Sequence, residues 1–235
     1  MPTAIVIINV IGTDPRLYLI IETGTRHQSP NATGKMKDTR IDKATFNSRL
    51  AAGTLPSTAF YRGSYSIPPS TTSYIHIPYT PNRKVGFVKG SYGSTEEPAV
   101  AAAREVWEEV GLDLRNNLER FVKIGEIDRV NPVFDLVITE DEKRIIENFV
   151  DANKTAHLGE VFNAYFVSIN TIYDTYFQYL NPHSKSVTET FLNRVSTVPV
   201  ITSGISCLHC SGGRRRYRLK SKKHRSKKTK RYTRK

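Results

Sequence analysis

The sequence predicts an α/β fold followed by a basic, disordered tail, and three observations carry that reading. Two runs near the start, Ala4 to Val10 and Leu17 to Glu22, are rich in Val and Ile and are bounded by turn residues, as buried strands are. The stretch from Thr95 to Gly111 has a helical start, a helical stop and apolar residues at helical spacing between them. From Arg214 to Lys235 there are 14 Lys and Arg and no Asp or Glu, and a segment with so little to bury stays unfolded when free.

Composition bounds the rest. At 235 residues and 38% hydrophobic content the chain suits one domain with an insertion or a tail. The net charge of +13 invites a nucleic-acid partner, but outside the tail 21 basic residues stand against 22 acidic ones, so the body is near neutral. No run reaches the ~18–20 apolar residues of a membrane span. Met1 to Gly12 lacks a basic leader and a cleavage site, which argues against a signal peptide. Two cysteines make no disulfide framework and favour a reducing compartment. The expected organisation is one domain over 1–205, with an insertion at 23–82, and a cysteine-containing hinge and basic tail over 206–235.

Taken in order, the two opening runs predict a hairpin across Gly12 to Arg16. The segment 23–82 is polar and punctuated by Gly, Pro and Ser, with a short helix expected near Asp42 to Ala52 and a strand at Ser73 to Ile77. Long segments of this kind commonly shape a binding pocket. Tyr61, Tyr65, Tyr74 and Tyr79 could stack a base, but packing is the favoured role for each. Val85 to Lys89 predicts a strand leading into the main helix, where Thr95 is the expected N-cap, Glu96 and Glu97 occupy the first turn, and Gly111 is the left-handed stop. Beyond it, Phe121 to Ile127, Pro132 to Thr139 and Val161 to Ile169 read as strands, and Glu140 to Asn153 and Ser186 to Val195 as helices. Cys207 and Cys210 lack enough neighbouring ligands for a zinc site and read as free thiols.

On the main helix, Val100, Ala103, Val106, Trp107 and Val110 gather on one side, expected to face the core. Glu105, Glu108 and Glu109 gather on the other, expected to face out. Like charges three and four residues apart destabilise a bare helix. A hard divalent cation would offset the repulsion, and Mg²⁺ characteristically shares one or two carboxylates with the oxygens of a phosphate. Arg104 could orient a carboxylate. The competing reading is a solvated acidic face.

The order of residues decides between them. Gly90, Glu96, Arg104, Glu105, Val106, Glu108, Glu109, Gly111 and Leu112 fill every specified position of a pattern that resembles the Nudix box. The resemblance implies a Nudix-type α/β/α sandwich with a mixed sheet, and hydrolysis of a diphosphate linkage in a nucleoside diphosphate joined to another group. It implies Mg²⁺ or Mn²⁺ held by Glu105, Glu108 and Glu109, one of which is the general base, with Arg104 holding a carboxylate in place and Glu96 supporting the site. Further acidic ligands often come from outside the box in this family; Glu160, Glu140 and Asp141 are candidates, each with an exposed surface role favoured. Lys89-Gly90 resembles the entry to the box in the decapping and diphosphoinositol-polyphosphate branches, with Val88 where those have proline, and marks Lys89 and Gly90 as substrate contacts.

The tail then suggests a partner. Arg214, Arg215, Arg216, Arg218, Lys220, Lys222 and Lys223 could hold an RNA phosphate backbone without sequence preference. The expected substrate is therefore capped RNA, with free nucleotides, dinucleoside polyphosphates or inositol pyrophosphates as alternatives, and a catalytically silent RNA- or nucleotide-binding module as the rival from another class. The expected location is the cytoplasm, of a host cell if the tail's resemblance to those of giant DNA virus proteins reflects origin, with nuclear targeting by the tail as the competing reading.

Overall fold

The computed structural model describes residues 1–63, 73–78 and 84–192. In chain order its elements are β1 (Thr3–Val10), β2 (Leu17–Arg26), β3 (Gln28–Pro30), β4 (Met36–Asp38), α1 (Lys43–Ala51), β5 (Phe60–Arg62) and β6 (Tyr74–Pro78). Then come β7 (Val85–Gly86), β8 (Val88–Ser91), α2 (Pro98–Val110), β9 (Val122–Ile127), β10 (Asn131–Ile138), α3 (Glu140–Thr155), β11 (Val161–Ser168) and α4 (Pro182–Val187), with shorter helical turns around α4.

All residues of β1 are buried because the sheet is covered on both faces. Ala4, Val6, Ile8 and Val10 enter one core, while Ile5 and Ile7 enter the other. A strand covered twice reads as a continuous apolar run rather than as alternation. β1 pairs parallel with β10, antiparallel with β8, and with β2 at Asn9 and Tyr18. The rest of β2 pairs antiparallel with β11, β7 and β6, and β9 borders β10. The sheet is thus mixed, as expected.

α2 and α3 cover the first core through Ala101, Ala102, Ala103, Val106 and Val110 and through Ile146 and Val150. The segment from Ile172 to Leu192 covers the second. The layers are helix, sheet, helix. α3 is fixed at its start by a reciprocal cap in which Glu142 N donates to Thr139 Oγ1 (3.2 Å) and Thr139 N donates to Glu142 Oε2 (2.8 Å).

Between β2 and β7 the chain builds a small core of its own from Phe46, Leu55, Ala59, Tyr61 and Ile75. α1 forms where expected, capped by Asp42, whose Oδ1 accepts from Thr45 N at 2.7 Å. β5 was not legible: three residues are too few to show a period. β5 and β6 attach to the far end of β2. Tyr61 packs in this core and Tyr74 lies under Arg26, 4.4 Å from guanidinium carbon to ring centroid. Tyr65 and Tyr79 fall outside the described residues.

Two element boundaries differ from expectation. The strand predicted at Val85 to Lys89 breaks at Phe87, so that β7 pairs with β2 while β8 pairs with β1; Phe87 N donates to Ser184 Oγ (3.0 Å) instead of to a strand. The last helix begins at Pro182, not at Ser186, because the Asn181 side chain caps it by accepting from Ser184 N at 3.0 Å. Its predicted end, both cysteines and the basic tail with Arg214, Arg215, Arg216, Arg218, Lys220, Lys222 and Lys223 fall outside the described residues. Among those described, no helix is long and apolar enough to cross a membrane.

Candidate active site

α2 organises the site, and it starts later than the sequence suggests. Glu97, not Thr95, is the N-cap residue, and Pro98 takes the first helical position, where its missing N–H costs nothing. Glu96 is thereby outside the helix and free to turn toward Arg104. The stop is as expected: Gly111 has φ 75° and its N–H donates to Trp107 O at 3.0 Å.

The faces of α2 also differ from expectation. Glu105 and Glu109 do not face out; they are only 7% and 6% exposed. Val100 is the exposed one at 40%, and Trp107 is half-buried under the Arg115 guanidinium, 3.7 Å from its ring. The reason lies on the neighbouring strand. Gly90 on β8 has no Cβ, and the Glu105 carboxyl fills that gap. Lys89 N donates to Glu109 Oε2 at 3.2 Å, which gives a buried carboxylate a backbone partner. Gly90, expected among substrate contacts, therefore lies against Glu105.

Arg104 gathers acceptors from four residues, with Glu96 taking a second bond from Nη2 at 3.3 Å. Its Nε donates to Glu96 Oε1 at 3.0 Å, its Nη1 to Glu105 Oε1 at 2.5 Å and to Glu108 Oε2 at 3.3 Å, and its Nη2 to Ser91 O at 3.2 Å. Burial works against its charge, but Glu96, Glu105 and Glu108 outweigh it and hold the guanidinium above its ordinary pKa.

A second arginine, absent from the sequence reading, enters from β5. Arg62 Nη1 lies 2.9 Å from Glu160 Oε2, and its Nη2 lies 3.8 Å from Glu108 Oε2. Nothing in the local pattern around Arg62 marks it, since its partners are about 50 and 100 residues away in the chain. Glu160, at the entrance to β11, leaves the surface role favoured for it and joins the site. Glu140 and Asp141 stay on the exposed first turn of α3, paired with Lys143 and Arg144.

The carboxylates strain one another electrostatically. Burial, and then Glu108 and Glu160, push Glu105 up to about 7 despite Arg104. Burial, then Glu160 and Glu105, push Glu109 well above the usual carboxylate range against the pull of Lys89. His76 on β6 is buried, and that burial drives it down to about 4, with Glu160 opposing. It stacks on Phe60 at 5.6 Å between centroids.

This donor set fits a hard divalent cation: several buried carboxylates that destabilise each other's charge, one of them in a cradle that a Cβ would fill. Among the described residues no three such side chains converge as they stand, and Arg104 and Arg62 hold oxygens of Glu105, Glu108 and Glu160. A bound cation would take over the neutralising task that the arginines now perform.

The profile of the NUDIX domain matches residues 74–189, which spans β6 to the residues following α4 and includes all of α2. The chain belongs to the Nudix family. A mutT/nudix family protein from Listeria innocua is similar in structure, with a TM-score of 0.45 and 12% identity over 83% of this chain and 96% of that one. No curated protein matches the chain in sequence. As a Nudix protein it is a pyrophosphohydrolase acting on phosphorus-containing anhydrides, of a family that uses divalent metal ions and takes nucleotide-type substrates. Most of the small core built by residues 41–61 precedes the matched region.

Proposed function

We propose that the protein cleaves the diphosphate of a nucleoside diphosphate joined to a larger group, with capped RNA as its substrate. The observation that carries the hydrolytic part is the cluster of Glu105, Glu108, Glu109 and Glu160, buried or half-buried and held between Arg104 and Arg62. Glu105, Glu108 and Glu109 would hold Mg²⁺ or Mn²⁺, which when bound neutralises phosphate oxygens and makes a water more acidic. Arg62, drawn away from carboxylates that have a cation, turns its fork to the diphosphate. Lys89 adds positive charge beside Glu109. Arg104 keeps Glu105 and Glu108 in place, with Glu96 as its anchor. One of the box glutamates removes the proton from the attacking water; their coupling leaves the base unassigned.

The choice of capped RNA is supported by the 14 basic residues of the tail, which suit a phosphate backbone, and by Lys89-Gly90 at the entry to the box. It carries with it the cytoplasm as the working place. A phosphate-release assay with Mg²⁺ and with Mn²⁺ across capped RNA, nucleoside triphosphates, dinucleoside polyphosphates, ADP-ribose and inositol pyrophosphates tests the activity. Silence across that panel would favour a binding module. Deleting 214–235 should raise KM on capped RNA and leave a free cap analogue unaffected; an equal effect on both, or none, removes the RNA assignment.

A further inference from the structure

Between the end of α3, the start of β5 and the start of β11 the structure has a cavity of about 200 Å³, lined among others by Phe60, Phe162, Leu158, Lys154 and His157. It is below the ~300 Å³ typical of a pocket for a whole ligand, and its wall is half apolar, from Phe60, Leu158, Val161 and Phe162. Its position is set by two pairs of residues. Phe60 and Arg62 are two apart on β5, hence on one face, while Tyr61 between them faces the small core. Glu160 and Phe162 are two apart at the entrance to β11, where a register shift between Val161 and Asn163 re-aims the strand. Arg62 pairs with Glu160 at 2.9 Å and Phe60 stacks on Phe162 at 6.0 Å. The ring pair is therefore the next contact along from the ion pair, about 7 Å by strand rise, which is the reach of a ribose between a base and its phosphate.

We infer that this cavity is the subsite for a neutral nucleobase of the substrate, which packs against Phe162 while its diphosphate lies at Arg62 and the box glutamates. The inference rests on the hydrolase reading for the diphosphate end and supplies the recognition end. Four features set the chemistry of the ring. Phe60 is clamped, stacked on His76 at 5.6 Å and with its ring tip against Gly24, where a Cβ would strike it. Phe162 is half-buried and so presents ring surface to the cavity. The His157 Nδ1 lies 3.0 Å from Ala59 O, which can only accept, so Nδ1 donates there and fixes the ring at the cavity wall. Lys154 Nζ, 4.9 Å from the Phe162 centroid and donating to Asn163 Oδ1 at 2.7 Å, is a cation held beside the ring, where it repels a positively charged base. In capped RNA the ring that fits is then that of the transcribed nucleotide and not the methylated, positively charged cap base.

The test is calorimetric and needs no turnover. Guanosine 5′-monophosphate should bind the full-length protein about tenfold or more tightly than ribose 5-phosphate, as one stacked base provides, and more tightly than its N7-methylated form. Phe162→Ala should abolish the preference for the base, and Phe162→Tyr should keep it. Phe162→Leu, which keeps apolar volume without a ring, should also lose it and carries the test if the alanine variant does not fold. Equal binding of the two phosphates, an unchanged preference in Phe162→Leu, or tighter binding of the methylated ring overturns the inference. In hydrolysis, Phe162→Leu should raise KM with kcat little changed. If no diphosphate is cleaved while the base preference is present and lost in Phe162→Leu, the catalytic reading fails and the subsite stands.

Discussion

Gly90 and Glu105 share one space: the carboxyl of Glu105 sits where residue 90 would carry its Cβ, and any side chain there would overlap it. A buried acid on α2 is thus admitted by an absence on β8. The obstructing group is the end of a flexible side chain, not backbone, so substitution displaces the acid more than it disturbs the fold. Gly90→Ala should keep the circular dichroism spectrum and lose about 10²-fold or more in kcat, the scale of misplacing a reacting group by an ångström. A variant with wild-type kcat would detach Glu105 from the chemistry.

Glu109 is the most deeply placed acid of the cluster, and burial and its neighbours disfavour its charge. Glu109→Gln removes the charge and keeps the shape. Turnover should fall by orders of magnitude, while the metal-free thermal midpoint stays level or rises. Mg²⁺, which should raise the midpoint of the wild type through mass action, should have a weaker effect on the variant. A large drop in metal-free stability would mean that Glu109 is a structural acid.

The metal-free protein should lose stability as the solution turns from acid to neutral. The folded state holds the Glu105 proton up to about 7, whereas the reference carboxyl releases it near 4.5. Between those values the folded chain binds more protons than the unfolded one, so stability falls with rising pH. Thermal midpoints measured without metal should decline across this window, and Glu105→Gln should flatten the decline. A wild-type profile that rises through the window would contradict the assignment.

Gly111→Ala should damage the fold itself. Its φ of 75° suits glycine, and a Cβ would run into the Phe149 ring of α3. The cost should be about 1–3 kcal/mol from the backbone alone, seen as a lower midpoint in denaturant, with the box carboxylates untouched. Wild-type stability would show that the α2 and α3 junction yields easily.

Much of this was legible in the residues, and what was not has particular causes. The spacing from Gly90 to Leu112 identifies the family because each position has a fixed task along one helix. The inward turn of Glu105 and Glu109 was hidden because periodicity compares a helix with itself, and here the deciding feature is a hydrogen in place of a methyl group on another strand. Thr95 is a better capping side chain than Glu97, yet Pro98 at the first helical position sets the start. Arg62 and Glu160 meet only after β11 and β6, which carries β5, have found β2, a relationship between distant segments that no local window contains. β5 itself is too short to declare itself.

The small core around Phe46, Leu55 and Tyr61 is separate from the one that seats α2. Arg62 and Phe60 reach from β5 to residues of β11, but the packing of that small core is its own, so it can be remodelled without repacking the helix that carries the box carboxylates. A lineage carrying this architecture can thereby alter the one block while the other stays fixed.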